Sequence, residues 1–183
     1  MKKLLLHTCC APCAIYPLQE LAKEYEVTIY FYDPNIHPEI EYIQRRDELK
    51  NYAKTIGAKW EEGVYDEARW FSETKGLENE PERGKRCTVC FDMRLGETAR
   101  KAKNEDYGLW ATALSISPHK DTKQIHCVAR LYEEKYKVPF LDIDWKKNDG
   151  FKIATKLAKE QDFYRQDYCG CVYSKIERAK QKS

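Results

Sequence analysis

The sequence predicts an α/β fold, a mainly parallel sheet with helices on both faces. Three observations lead there. Short runs rich in β-branched, aromatic or aliphatic residues alternate with amphipathic stretches of roughly 10 to 18 residues, the pattern of strand–helix crossover units. The runs end in turn signals such as Asp33-Pro34-Asn35. No Gly/Ser-rich linker, internal repeat or low-complexity segment divides the 183 residues, so one domain spanning residues 1–183 is expected.

In order, Lys3 to Leu6 is an aliphatic run suited to a buried strand, and Ala14 to Tyr25 carries Leu18, Leu21, Ala22 and Tyr25 at helical spacing. Val27 to Tyr32 reads as a second strand, and Pro38 to Ile56 as a long charged helix closed by Gly57. A short strand is expected near Lys59 to Glu61, and a helix over Tyr65 to Lys75. A polar loop follows from Gly76 to Arg86, then a helix over Cys87 to Asn104. Leu109 to Ser115 and Phe140 to Ile143 read as strands. Thr122 to Lys135, Phe151 to Glu160 and Val172 to Lys180 read as helices.

Composition excludes several classes. Hydrophobic residues make up 42% and charged residues 34%, which fits a globular chain. A chain this long buries roughly two thirds of its unfolded surface, so its eight cysteines are not needed as staples. The apolar run after Lys2-Lys3 stops at Leu6, too short for a signal peptide, and nothing approaches the ~18 apolar residues of a membrane span. A cytoplasmic setting without membrane attachment is expected, where thiols stay reduced and cysteine clusters serve metals or redox chemistry. The net charge of +2 does not announce a nucleic-acid binder, and the basic patches Arg83 to Arg86, Arg100 to Lys103 and Lys175 to Lys182 read singly as solvated faces.

The cysteines fall at the points where a parallel sheet collects ligands, outside the carboxyl ends of its strands. Cys9, Cys10 and Cys13 occupy the turn after the first strand, with Pro12 suited to a helix start. A helix N-terminus favours the thiolate form that ligates metal. Cys87 and Cys90 form a Cys-x-x-Cys pair at the start of another helix. Together the two groups offer four soft ligands, suited to tetrahedral zinc or an iron–sulfur cluster. Adjacent cysteines strain a mononuclear site more than a cluster, which tilts the chemistry toward iron–sulfur and leaves zinc as the alternative. Cys169-Gly170-Cys171 is a separate pair near the C-terminus, read as a strained, labile disulfide on a mobile segment or as two buried thiols. Cys127 reads as a core thiol. His7 is expected as a second ligand-shell group, a proton donor or core, and Asp33 as a rim carboxylate or an Asx turn. Asp92 and Arg94 face either the site or solvent. No Gly-x-Gly-x-x-Gly or Walker-type loop occurs, which argues against a thiolation enzyme using ATP.

Four ordered motifs also carry a resemblance: His7-Thr8-Cys9-Cys10-Ala11-Pro12-Cys13, Phe31-Tyr32-Asp33-Pro34-Asn35-Ile36-His37-Pro38, Arg86-Cys87-x-x-Cys90-Phe91-x-x-Arg94-Leu95, and Tyr168-Cys169-Gly170-Cys171. Across nearly the whole chain the sequence resembles the QueH-type epoxyqueuosine reductases. The resemblance implies a nucleotide-hydrolase-like (HUP-like) sandwich that reduces the epoxide of epoxyqueuosine at the tRNA wobble position, giving queuosine in the last step of that pathway. It implies a 4Fe–4S cluster on Cys9, Cys10, Cys87 and Cys90, and a redox-active disulfide between Cys169 and Cys171. Cys13 and Asp33 are then candidates for substrate contact, proton delivery or an additional iron. The partners implied are the modified tRNA, held by the basic patches, and an electron donor whose identity the sequence does not give. The alternative from another class is a zinc-stabilised tRNA-binding module without redox activity.

Overall fold

The computed structural model describes residues 1–182, the side chain of Lys182 excepted. Lys182 closes one of the three basic patches, so that part of the patch lies outside the described residues. Four parallel strands form one sheet: β1 (Lys2–Thr8), β2 (Tyr25–Phe31), β3 (Lys59–Glu62) and β4 (Leu109–Thr112), in the spatial order β3-β2-β1-β4. The helices are α1 (Ala11–Leu21), α2 (Glu39–Thr55), α3 (Glu67–Glu73), α4 (Lys85–Asn104), α5 (Thr122–Tyr136), α6 (Gly150–Glu160) and α7 (Val172–Lys182).

Alternation along the strands builds a core on each side of the sheet. Leu4 and Leu6 of β1, with Ile29 and Phe31 of β2, point to one face and meet Ile15 and Leu18 of α1, Leu49 of α2 and Ala154 of α6. Leu5 and Tyr30 point to the other and meet Phe91 and Leu95 of α4, Ile125 and Val128 of α5 and Trp70 of α3. Three consecutive leucines in β1 are therefore all fully buried, as expected for a central strand covered on both faces.

The chain steps outward from β1 through β2 to β3, then returns to β4 on the other side of β1. The crevice between the carboxyl ends of β1 and β4 is thus the topological switch point of the sheet. Several expectations need correction, among them the end of the first helix, which stops at Leu21 and leaves Tyr25 to open β2. Phe140 to Ile143 makes only an isolated parallel bridge, Trp110 to Phe140, because Pro139 presents its carbonyl to Trp110 N and the chain leaves the edge at once. Leu109 to Ser115 is strand only to Thr112, after which Leu114–Ile116 form a short 3-10 turn. The first helix begins at Ala11, three residues earlier than its apolar spacing indicates, because Cys10 caps it and Pro12 sits in its first turn.

Leu5 is the most direct test of the two-faced core. Leu5→Ala should cost about 2–5 kcal/mol and lower the thermal midpoint by on the order of 5–15 °C. A calorimetric shift below about 2 °C would contradict the burial of β1 on both faces.

Candidate active site

The site starts where β1 ends. Cys10 is the extended N-cap of α1, and Cys9, Cys10 and Cys13 point their sulfurs into one space, all within 4.8 Å of one another. The Cys9 and Cys10 sulfurs are 3.9 Å apart. Cys9 and Cys10 are buried, while Cys13 is half-buried. The structure thus draws Cys13 into the group on its own helix turn.

A second group lies opposite. Cys87 and Cys90 occupy the first turns of α4, and with Cys169, Cys171, Trp70 and Lys120 they line a small crevice. Cys90 and Cys171 pack in the same buried cluster as Cys9 and Cys10, with Cys13 and Cys87 against it. Seven cysteines therefore gather at one end of the sheet. Cys127 does not join them: it is exposed on α5, because Ile125, Val128 and Ala129 turn the other side of that helix inward. Its reading as a core thiol is corrected.

The Cys169 and Cys171 sulfurs are both free thiols here. Their segment is tied down, contrary to the expected mobility. Arg45 of α2 donates to the carbonyls of Cys169 (3.1 Å) and Tyr168 (3.4 Å). His37 N donates to Gly170 O at 2.8 Å, and the Tyr168 hydroxyl donates to His37 O at 2.7 Å. Gly170 has φ +137°, and a Cβ there would stand 3.1 Å from Ile36, so the close approach to the Asn35–His37 loop requires glycine.

Between the two sulfur groups lies a buried charge pair. Asp33, just beyond β2, accepts a hydrogen bond from the Arg94 guanidinium, whose other arm lies 3.8 Å from the Cys90 sulfur. Asp33 is therefore a paired rim carboxylate rather than an Asx turn, and Arg94 faces the site while Asp92 is exposed. Burial pushes the Asp33 carboxyl up to about 7, with Arg94 opposing. His7 is fully buried, its Nδ1 2.9 Å from the Thr112 hydroxyl and its Nε2 3.8 Å from Asp33. Burial, aided by Arg94, lowers its pKa to about 3, so the ring is neutral and is not the expected proton donor.

Burial and mutual repulsion push the thiols of Cys87, to about 12, and Cys171, to about 11, upward. Cys9 moves the other way, because Cys10 and Cys13 hydrogen-bond to its sulfur. Ligation of a metal by this set releases protons.

Three contributors escape sequence reasoning. Lys120, in the loop after β4, is 8% exposed and lines both the small crevice and a larger open cleft. Desolvation works against its charge, but the field of Cys169, Cys9 and Cys13 wins and raises its pKa. Gln166 donates its Nε2 to the Cys10 sulfur at 3.0 Å. Arg86, read as part of a solvated basic face, is buried. It donates to the carbonyls of Leu77, Glu78 and Glu80 and pairs with Glu177 of α7 at 3.1 Å. Arg83 likewise spends its guanidinium on the carbonyls of Pro118 and His119.

The larger cleft is lined by Cys13, Ser117, Lys120, Phe151, Gln166 and Cys169 among others.

Comparison with known proteins decides the family. Residues 4–177 match the family profile described as Epoxyqueuosine reductase QueH. The chain belongs to that family. It is 45% identical over 174 residues to the Epoxyqueuosine reductase QueH of Haemophilus influenzae, covering 94% of this chain and 71% of the relative. The Thermotoga maritima QueH is 33% identical over 181 residues, covering 97% of this chain and 93% of the relative. The chain is thus an oxidoreductase of queuosine biosynthesis that acts on epoxyqueuosine, a tRNA nucleoside. No helix among the described residues is long and apolar enough to cross a membrane.

Two solved structures share the fold at low identity. One is a predicted subunit of tRNA methyltransferase from Methanocaldococcus jannaschii, with TM-score 0.61 and 13% identity, covering 87% of this chain and 75% of that one. The other is the U34-tRNA thiolase NcsA from Methanococcus maripaludis with its [4Fe-4S] cluster, with TM-score 0.57 and 11% identity, covering 99% of this chain and 65% of that one. They share this α/β fold with its parallel sheet.

His7 and Asp33 act on stability with opposite sign. The folded state resists protonating His7, so His7 makes stability fall as pH drops from about 6.5 toward about 3. Asp33 holds its proton in the folded state, so its contribution falls as pH rises from about 4 to about 7. In metal-free His7→Gln protein the His7 slope is removed and the Asp33 slope is kept. Urea midpoints should then decrease from pH 4.5 to 6.5 more steeply than in the wild type. Equal slopes would contradict these assignments.

Proposed function

We propose that this chain reduces the epoxide of epoxyqueuosine at the wobble position of tRNA to give queuosine, the last step of that biosynthesis, using a 4Fe–4S cluster held by Cys9, Cys10, Cys87 and Cys90. The whole chain acts as one catalytic domain, working in the cytoplasm on tRNA. The observation that carries the reading is the packing of two cysteine groups from the ends of β1 and the start of α4 into one buried cluster. The donors fit such a group: they are all sulfur, they are buried, and a cationic Arg94 and Lys120 stand by to offset thiolate charge. The likeness to a tRNA thiolase carrying a [4Fe-4S] cluster supports the same assignment. When bound, the cluster supplies electrons one at a time.

The rest is work for the protein. The cleft beside Cys13 takes the modified nucleoside, with Phe151 at its mouth as a stacking surface. Cys13, which lines the cleft, and Asp33, buried on Arg94, are the candidates for substrate contact or for ligating an additional iron. Cys169 and Cys171 form the dithiol–disulfide couple. Its oxidation releases two electrons and two protons, the number consumed when one epoxide oxygen leaves as water. An external electron donor restores the couple. A zinc-stabilised tRNA-binding module without redox activity does not fit a family of reductases.

The test is anaerobic iron–sulfur reconstitution followed by turnover of epoxyqueuosine-containing tRNA. Cys87→Ala should abolish the broad visible absorbance of the cluster and lower turnover by about 100-fold or more, as loss of a ligand predicts. Retention of both would remove Cys87 from the ligand set. Cys171→Ser should keep the absorbance and slow repeated turnover; unchanged steady-state turnover would set the dithiol role aside.

A further inference from the structure

Several cations that the sequence groups into basic patches are already committed within the protein. Arg83 donates to the carbonyls of Pro118 and His119, and Arg86 binds three carbonyls and Glu177. On α4, Arg100 pairs with Glu97 at 2.6 Å, and Lys101 bridges Glu61 and Glu105. A cation paired in this way presents little net field to a polyanion. Holding a nucleic acid needs cations that are still able to neutralise phosphates.

Two arginines lining the larger cleft are different. Arg165, in the loop between α6 and α7, is exposed and has no hydrogen bond or ion pair among the described residues. Arg178, on α7, is half-buried and bonds to neutral groups. Its Nη1 donates to the Gln181 side chain at 3.2 Å, and its Nη2 lies 3.1 Å from the His119 ring. Burial, aided by Arg178 itself, lowers the His119 pKa and keeps that ring uncharged. Glu82 and Asp167 also line the cleft, yet neither arginine has a carboxylate partner among the described residues. Both guanidiniums therefore keep their charge beside Phe151, a 40% exposed aromatic on the same lining. An arginine fork matches a phosphate in two parallel hydrogen bonds. Unpaired cations next to an exposed aromatic are what single-stranded RNA uses, with its backbone on the charges and a base on the ring.

We propose that Arg165 and Arg178 hold the phosphodiester backbone of the tRNA next to the modified nucleoside seated in the larger cleft. This rests on the proposed seating of the nucleoside there. The two arginines position the RNA and take no part in the chemistry. Phosphates carry no base information, so these contacts fix the register of the loop while the cleft itself reads the nucleoside. Register matters here because the nucleoside must sit against Cys13, at the edge of the buried sulfurs.

The test measures tRNA binding and single turnover by anaerobically reconstituted wild type, Arg165→Gln, Arg178→Gln, Arg165→Lys, Arg178→Lys and Lys59→Gln. Lys59 undergoes the same loss of charge at the amino end of the sheet, where it pairs with Glu26. Each arginine-to-glutamine change should raise the Kd for epoxyqueuosine-containing tRNA about tenfold and reduce the salt slope of log Kd by roughly 0.7. The same tRNA without the modification should lose affinity by the same factor. At saturating tRNA the turnover rate should stay within about threefold of wild type. The lysine variants should restore the salt slope, and Lys59→Gln should leave Kd within about twofold of wild type. Four results each overturn the assignment: a Kd change below about threefold in either glutamine variant, a salt slope that lysine does not restore, a loss confined to the modified tRNA, or an equal loss in Lys59→Gln. If wild type still reduces the modified tRNA in those cases, the proposed function stands without the two arginines. If wild type neither binds nor reduces it, the proposed function fails and this assignment with it.

Discussion

The buried contact between Arg94 and Asp33 is the constraint around which this end of the molecule is built. It joins α4 to the carboxyl end of β2, and it does so between the two cysteine groups. An unpaired guanidinium at this depth costs several kcal/mol, so the partners hold each other in register. The consequence is geometric. α4 is fixed with its first turns, and hence Cys87 and Cys90, facing the turn that carries Cys9, Cys10 and Cys13. It is also electrostatic, since a permanent positive charge lies 3.8 Å from the Cys90 sulfur. In a site of several sulfurs, such a charge offsets the accumulation of thiolates that ligation demands.

A second buried arginine does the corresponding work for the C-terminal segment. Arg45 pairs with Glu41 one helical turn away, at 2.7 Å, and uses its remaining donors on the carbonyls of Tyr168 and Cys169. The Cys169-Gly170-Cys171 stretch is thereby pressed onto the Asn35–His37 loop, where only glycine fits. A redox pair held in this way approaches the other sulfurs through a fixed backbone rather than by the swing of a loose tail. Arg86 adds a third tie, from the start of α4 to Glu177 of α7. Three arginines thus organise seven cysteines.

Much of this was legible from the residues. The aliphatic and β-branched runs marked β1, β2 and β4, and the alternation with helices gave the parallel sheet, because burial on both faces leaves a hydrophobic signature that short windows capture. The cysteine groups were legible because each falls at or just before the start of a helix, the first of them in the turn after β1. The misreadings have equally physical causes. Cys127 looked apolar among Ile125, Val128 and Ala129, yet one residue of helical phase puts it in solvent. Phe140 to Ile143 has strand composition, but Pro139 and the loss of further pairing leave one bridge. Arg86 was read within a solvated basic patch, yet it is buried on the carbonyls of the loop just before it and on Glu177. Lys120 and Gln166 sit in loops without a motif, so nothing local announces that the fold turns them toward sulfur.

The central claim is that the sulfur-lined end of the sheet holds an iron–sulfur cluster in a tRNA-modifying reductase. The most direct measurement is iron, zinc and acid-labile sulfide in protein purified without exposure to oxygen. The account predicts iron and labile sulfide in near-equal amounts, about four of each per chain, with iron in excess of sulfide if an additional iron is also bound. Stoichiometric zinc without labile sulfide would contradict it.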